Sequence, residues 1–223
     1  MPWPADQPFP YSPDDADRDG LVAVGGALEP SLLLAAYRVG IFPWSSKPMV
    51  TWWSPDPRAV FELEQFHPHR SVLRSARRGA WTYSIDRAFT AVMRGCAEPQ
   101  GEAREATWIS EDFVRAYVAL HRLGHAHSVE VWAGEELIGG LYGVTIGGFF
   151  GGESMFHRRP DASKAAMTYL VERLRAADYW LLDAQVMNPH LAFLGAVNIP
   201  RGDYLVRLKA ALAHRPRRLS EGE

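Results

Sequence analysis

The sequence predicts an α+β protein, and three observations carry that prediction. Phe113, Ala116, Tyr117 and Leu120 recur at the i, i+3, i+4, i+7 spacing of one helix face. Three β-type runs follow, SVEVWA, LIGGLYGVTI and FFGGESMF, separated only by glycine-bearing turns. A second helical stripe of Met167, Leu170, Val171 and Leu174 then gives way to the buried-type strand YWLLDAQV. The composition allows a sizeable core: 223 residues, 47% hydrophobic and 22% charged.

Taken in order, residues 1–20 read as an irregular arm, because prolines at 2, 4, 8, 10 and 13 remove donors and block helix. Pro30 at the start of PSLLLAAYRVG and Gly40 at its end mark a helix over about 30–39. Segment 41–58, IFPWSSKPMVTWWSPDPR, packs three tryptophans and four prolines into 18 residues. It is expected to be a long ordered loop, since so many large apolar groups are not left in water. Short strands at AVFEL (59–63) and WTYSI (81–85) flank the basic segment HPHRSVLRSARRG, and a helix follows from Asp86 to Gly95. The polar stretch Pro99–Ala106 marks a boundary between a small N-terminal α/β domain (21–100) and a second domain (101–223).

In that second half Ser110 caps a helix ending at Gly124. After the three strands come a helix over about 162–177, the YWLLDAQV strand, and a last helix, DYLVRLKAAL, beyond Pro200. A helix, three antiparallel strands, a helix and a strand is the order of the acetyltransferase-like (GNAT-like) α+β fold. That fold splays its central strands and sets acyl transfer in the gap, although strand order does not by itself fix function.

A net charge of -2 excludes a uniformly basic nucleic-acid binder, so any RNA contact uses a local patch. The single cysteine, Cys96, excludes intrachain disulfides and reads as inert within a helix. The N-terminus has neither the basic nor the apolar region of a signal peptide, and no apolar run nears the ~20 residues of a membrane span. A cytoplasmic, membrane-free protein is expected. His121, His125 and His127 do not read as a zinc site, because Gly124 ends the helix between them.

Two segments stand out chemically. Glu153 emerges from the glycine- and phenylalanine-rich GGFFGGESMF, and Asp183 and Gln185 lie two apart on a strand, on the same side. A carboxylate in such apolar surroundings is costly unless paired or used; the bland alternative is that these groups satisfy each other or cap a helix. Where an acyl-CoA enzyme would carry its glycine-rich pyrophosphate loop, this chain reads HRRPDASK. Glycines give way to basic groups, which points to a different phosphate-bearing acyl donor.

The segments GGALEPSLLLAAYRVGIFPW, TWWSPDPRAVF, TWISEDFVRAYVALHRLGHAHSVEVW, LIGGLYGV, GESMFHR, ASKAAM and LLDAQVMNPHLAFLGAVNIPRGDY, in order from about 21 to 205, resemble the bacterial leucyl/phenylalanyl-tRNA–protein transferases. The resemblance implies a small N-terminal domain joined to an acetyltransferase-like catalytic domain. It implies transfer of Leu or Phe, sometimes Met, from aminoacyl-tRNA to proteins beginning with Arg or Lys. The product would pass to the N-end-rule adaptor and protease. No cofactor or metal is implied, because the donor ester is already activated.

By motif position, Asp183 and Gln185 match the family's proposed catalytic pair, in which Asp polarises Gln and Gln relays the proton. A neutral amide is a very poor base, so Asp183 is read as the electrostatic centre and Gln185 as the group that positions the amine. Glu153 matches a family residue near the donor and acceptor amines. Trp44 and Trp108 correspond to the aromatics that contact the terminal adenosine. The amino-acid pocket would include Leu141, Phe150, Leu170, Leu174 and Leu182, where relatives carry more aromatic side chains, so the ranking of Leu, Phe and Met stays open. Arg70, Arg74, Arg77 and Arg78, with His69, recur at three- and four-residue intervals and would grip acceptor-stem phosphates; the alternative is a solvated helix face.

Overall fold

The computed structural model describes residues 7–46, 49–98 and 108–219. Strands β1 (Leu21–Val24), β2 (Phe42–Ser46) and β3 (Met49–Trp53) form a small antiparallel sheet in the order β1-β3-β2. Segment 41–58 is thus largely a strand pair, not the loop expected from its prolines. Pro43 sits on an edge strand, whose outer side needs no donor, and Pro55 and Pro57 follow β3 instead of interrupting it. Trp52 of β3 is buried, and its indole Nε1 donates to the Gly25 carbonyl at 2.8 Å.

The large sheet comprises β4 (Arg58–Phe61), β5 (Thr82–Ile85), β6 (Ala126–Ala133), β7 (Glu136–Ile146), β8 (Phe149–His157), β9 (Leu181–Gln185) and β10 (Val197–Ile199). Their order is β10-β4-β9-β8-β7-β6-β5. β6, β7 and β8 make the expected meander, turning at Gly134 (φ +63) and Gly147 (φ +56), where a side chain would strain the backbone. β4 and β5 precede residue 100, so this sheet takes strands from both sides of the expected domain boundary. The stretch 99–106 lies outside the described residues, as do the first six residues of the expected arm.

Helices α1 (Pro30–Arg38), α3 (Phe89–Ala97), α4 (Glu111–Arg122) and α7 (Arg201–Ala213) pack against one face of the sheet, with Tyr142, Phe149 and Leu181 pointing to them. Helices α2 (Arg70–Arg78) and α5 (Ala162–Ala176) share the opposite core with Leu141, Phe150 and Leu182. The alternation of adjacent strand residues between the two cores is the period of a sheet buried on both faces. Ser110 caps α4 as expected, its hydroxyl accepting from the Phe113 N–H. α3 starts at Phe89 and not at Asp86, because Asp86 has φ +62 and its carboxylate accepts the Ser128 N–H at 2.9 Å. The short α6 (Pro189–Phe193) had no helical stripe in the sequence; Asn188 caps it, accepting from the Leu191 N–H.

β8 and β9 run parallel but pair only over Phe149–Gly151 and Leu181–Asp183, after which the sheet opens. A register irregularity lies on each side of the opening. Gly143 opposes Gly152 and Tyr142 opposes Ser154, which leaves Glu153 without a partner on β7. Ala59 opposes Gln185 and Val60 opposes Asp183, which leaves Ala184 without a partner on β4. Such bulges bend the strand and re-aim side chains, and they gather beside functional sites.

Candidate active site

The opening holds a pocket of about 780 Å3, large enough for a small ligand. One wall is apolar, built from Leu141, Met155, Met167, Leu170 and Leu182. Trp44 and Trp108 line it as well, their rings 6.4 Å apart and close to perpendicular, with Trp44 37% exposed. Glu153, Asp183 and Gln185 also reach its lining, so the catalytic candidates and the two tryptophans come together in one cleft.

Glu153 is held by three donors from distant parts of the chain. The Tyr37 hydroxyl donates to Oε1 at 2.7 Å, the Tyr117 hydroxyl to Oε2 at 3.1 Å, and Gln185 Nε2 to Oε1 at 2.8 Å. Burial pushes the carboxyl pKa up to about 7; the hydrogen bonds from Tyr37, Tyr117 and Gln185 oppose that rise and nearby Asp183 adds to it. Burial, followed by the charge on Glu153, lifts both tyrosine hydroxyls well above their ordinary range, so they act as donors.

Gln185 adopts φ +64, a left-handed conformation uncommon outside glycine, and the Val186 N–H closes a tight turn onto the Ala184 carbonyl at 2.8 Å. Strain of this kind costs on the order of 1–3 kcal/mol and persists only where surrounding contacts over-determine it. One such contact is visible: the Gln185 N–H donates to Asp183 Oδ1 at 2.8 Å. The side-chain amide of Gln185 engages Glu153 instead of Asp183.

Asp183 is 1% exposed and paired face to face with Arg58, whose Nε lies 2.9 Å from Oδ1 and Nη2 2.7 Å from Oδ2. The Tyr204 hydroxyl donates to Oδ2 at 2.9 Å. Arg58 is 1% exposed; burial works against its charge, but Asp183, Tyr204 and Glu153 together more than offset this and raise its pKa. Arg58, Tyr204, Tyr37 and Tyr117 carry no role in the sequence reading. Each lies inside a segment quoted for the resemblance, but no local spacing links partners 80 to 146 residues apart.

Of the expected amino-acid pocket, Leu141, Leu170 and Leu182 line the cavity, whereas Phe150 and Leu174 are fully buried in the core on the α5 side of the sheet. Leu174 is one helical turn beyond Leu170, too far along α5 to reach the opening. Arg70, Arg74, Arg77 and Arg78 are exposed on α2, and none of their side chains makes a hydrogen bond or ion pair among the described residues. At 100° per residue they span an arc of about 100°, opposite buried Val72.

The basic HRRPDASK loop is mostly committed elsewhere. Arg158 bonds the Leu137 carbonyl and Glu98, Arg159 bonds Glu136, and Lys164 bonds Asp161; His157 lies on the pocket lining. His121 stacks on Phe89 and His127 bonds Asp86 at 2.7 Å. Cys96 is buried. Among the described residues no group of three or more His, Cys, Asp or Glu is arranged to hold a metal ion.

Residues 60–209 match the family described as leucyl/phenylalanyl-tRNA protein transferase, and residues 26–56 match the N-terminal domain of the same family. A leucyl/phenylalanyl-tRNA–protein transferase of Shewanella piezotolerans is 52% identical over 91% of this chain and 86% of its own length. One from an Anaeromyxobacter species is 52% identical over 94% of this chain and 89% of its own. Among solved structures, that of L-PGS from Bacillus licheniformis is 12% identical and covers 72% of this chain and 66% of its own, with a TM-score of 0.44, a likeness too slight to build on.

Proposed function

The chain belongs to the leucyl/phenylalanyl-tRNA–protein transferase family, and from that premise we propose how its cleft carries out the reaction. The enzyme is an aminoacyltransferase, moving Leu or Phe from aminoacyl-tRNA to the N-terminal Arg or Lys of a protein, the reaction of the N-end rule. The acceptor α-amine attacks the ester carbonyl carbon, the C–N bond forms, and the bond to the tRNA ribose oxygen breaks. The released ribose hydroxyl takes up a proton, and the attacking nitrogen loses the protons it no longer needs.

The observation that carries the assignment of roles is Glu153. Its carboxyl, at about 7, lies within roughly one unit of a free α-ammonium near 7.7–8.0, so proton transfer between them is close to balanced. Glu153 is the general base in this reading. Gln185, whose Nε2 already bonds Glu153, orients the amine through its amide carbonyl. Asp183 supports the pair from behind, its Oδ1 accepting the Gln185 main-chain N–H. The donor side chain occupies the wall of Leu141, Met155, Met167, Leu170 and Leu182, and the terminal adenine stacks on the exposed face of Trp44, braced by Trp108.

The exposed arginine arc of α2 contacts acceptor-stem phosphates, which accounts for charges that no group among the described residues neutralises. The opening of the parallel β8–β9 pair after three residue pairs is the arrangement that an acetyltransferase-like catalytic fold uses. The product passes to an N-end-rule adaptor and protease in the cytoplasm. No described helix is long and apolar enough to cross a membrane.

Incubation with Phe-tRNA or Leu-tRNA carrying a labelled amino acid, and a peptide beginning with Arg, tests this reading. Label in the peptide is expected. An unlabelled peptide, with acetyl-CoA serving as donor instead, overturns it.

A further inference from the structure

Asp183 presents two oxygens, and four donors already occupy them. Oδ1 accepts from Arg58 Nε at 2.9 Å and from the Gln185 N–H at 2.8 Å; Oδ2 accepts from Arg58 Nη2 at 2.7 Å and from the Tyr204 hydroxyl at 2.9 Å. A carboxylate offers about four acceptor sites, so this one is saturated and has nothing left for a substrate proton or for the Gln185 amide. Among the described residues its one hydrogen bond to the reacting groups is to the main chain of Gln185. Arg58 in turn is fixed on all sides. Its Nη1 donates to the Gly40 carbonyl at 3.1 Å, and its guanidinium lies 4.7 Å from the Phe42 ring and 4.4 Å from the Tyr204 ring. Phe42 is also 6.5 Å from the Trp44 ring on the same strand.

We propose that Arg58, with Tyr204 beside it, is a positioning residue for the transfer reaction. It locks the Asp183 carboxylate, which holds Gln185 in its left-handed turn, and so places the Gln185 amide against Glu153. Asp183 is then a main-chain anchor, neither a proton acceptor nor the polariser of the Gln185 amide. A buried ion pair kept only for stability has no reason to sit at a bulge, and apolar side chains of similar volume replace such pairs with little loss. Here the pair ends on the one strained, non-glycine residue among the described residues lining the cleft.

The proposal rests on the transferase reading of the cleft, and the test separates the two. Full-length Asp183→Asn, Tyr204→Phe, Arg58→Lys and the double variant Arg58→Met/Asp183→Leu are compared with Glu153→Gln. For each, the melting temperature, kcat, KM for both substrates and the pH profile are measured with Phe-tRNA and an Arg-initial peptide. Displacement of Gln185 is expected to lower kcat about 100-fold in Asp183→Asn and in the double variant, the scale on which a misplaced reacting group acts. Tyr204→Phe and Arg58→Lys fall less, and KM for the peptide stays within about threefold throughout, the split expected when only positioning is lost. All four keep an ascending pH limb, shifted below 7 where the Asp183 charge that raises the Glu153 pKa is removed, while Glu153→Gln loses it.

Two outcomes overturn the proposal: loss of that limb in Asp183→Asn, which would make Asp183 the base, or a double variant that folds and keeps wild-type kcat, which would make the pair merely structural. Failure of the underlying reading looks different. There the wild-type protein transfers nothing, or Glu153→Gln leaves the limb in place.

Discussion

Glu153→Gln is the substitution on which the cleft's chemistry turns, because it removes a titrating group while keeping the side chain's shape. In the wild type the carboxyl sits at about 7 in place of its ordinary 4.5. That gap makes the buried, ionised form unfavourable by about 3 kcal/mol. The sign follows from the direction of the shift. A raised carboxyl pKa favours the protonated folded state, so the contribution is complete below about 4.5, declines between there and about 7, and is gone above. Denaturant unfolding at pH 5 and pH 8 is expected to show the wild type losing up to about 3 kcal/mol across that interval beyond what the glutamine variant loses. For activity, loss of a positioned base costs roughly 100- to 10,000-fold. The pH profile also changes shape. The wild type rises through about 7 as Glu153 ionises and levels off beyond about 8, where the acceptor amine is already neutral. The variant needs an amine that is already neutral, so its residual rate only climbs, with a midpoint near 8. A variant within threefold of wild-type kcat that retains the ascending limb near 7 would refute the assignment of Glu153 as base.

Further outcomes follow from the same geometry. Trp44→Ala is expected to raise KM for aminoacyl-tRNA by the loss of about 1–3 kcal/mol of base stacking, leaving KM for the peptide unchanged in steady-state assays. Arg74→Ala and Arg77→Ala each reduce the salt dependence of tRNA binding by about one unit of log–log slope, read by titration over a range of ionic strength, with equal effect on Leu-tRNA and Phe-tRNA. Leu170→Ala widens the apolar wall of the pocket and shifts the kcat/KM ratio towards Phe-tRNA by about 1–3 kcal/mol per methylene-sized change; competition between the two charged tRNAs reads it. Gly143→Ala drives a methyl group into the Phe150 ring and the Gly151 carbonyl. The variant should unfold with about 1–3 kcal/mol less stability and melt several degrees lower.

Where a feature depends on neighbours in the chain, it was legible in the sequence. The helices at 30–38, 111–122, 162–176 and 201–213 follow from local caps, Pro and Gly punctuation and apolar stripes, and the β6–β8 meander follows from glycine turns between strand-type runs. Segment 41–58 shows the limit of such reasoning. Prolines are strand breakers only where a ladder needs their missing N–H, and which strand lies at an edge is a property of the assembled sheet. The boundary expected near residue 100 fails to divide the large sheet for a like reason: β4 and β5 are short, and only their pairing with β9 and β6 shows where they belong.

The amino-acid sequence by itself determined the family, the reaction, and the candidates Glu153, Asp183, Gln185, Trp44 and Trp108, because those residues sit in contiguous segments distinctive enough to identify. Tertiary structure alone decided how they are connected. Asp183 and Gln185 are two residues apart, yet the carboxylate turns to Arg58, 125 positions earlier in the chain, while the amide turns to Glu153. Glu153 is raised to about 7 by burial and held by tyrosines on α1 and α4, neither of them its neighbour in sequence. The physical reason is register. A bulge at Glu153 and another at Ala184 set which groups meet, and a bulge is a relation between two strands, with no signature in either one alone.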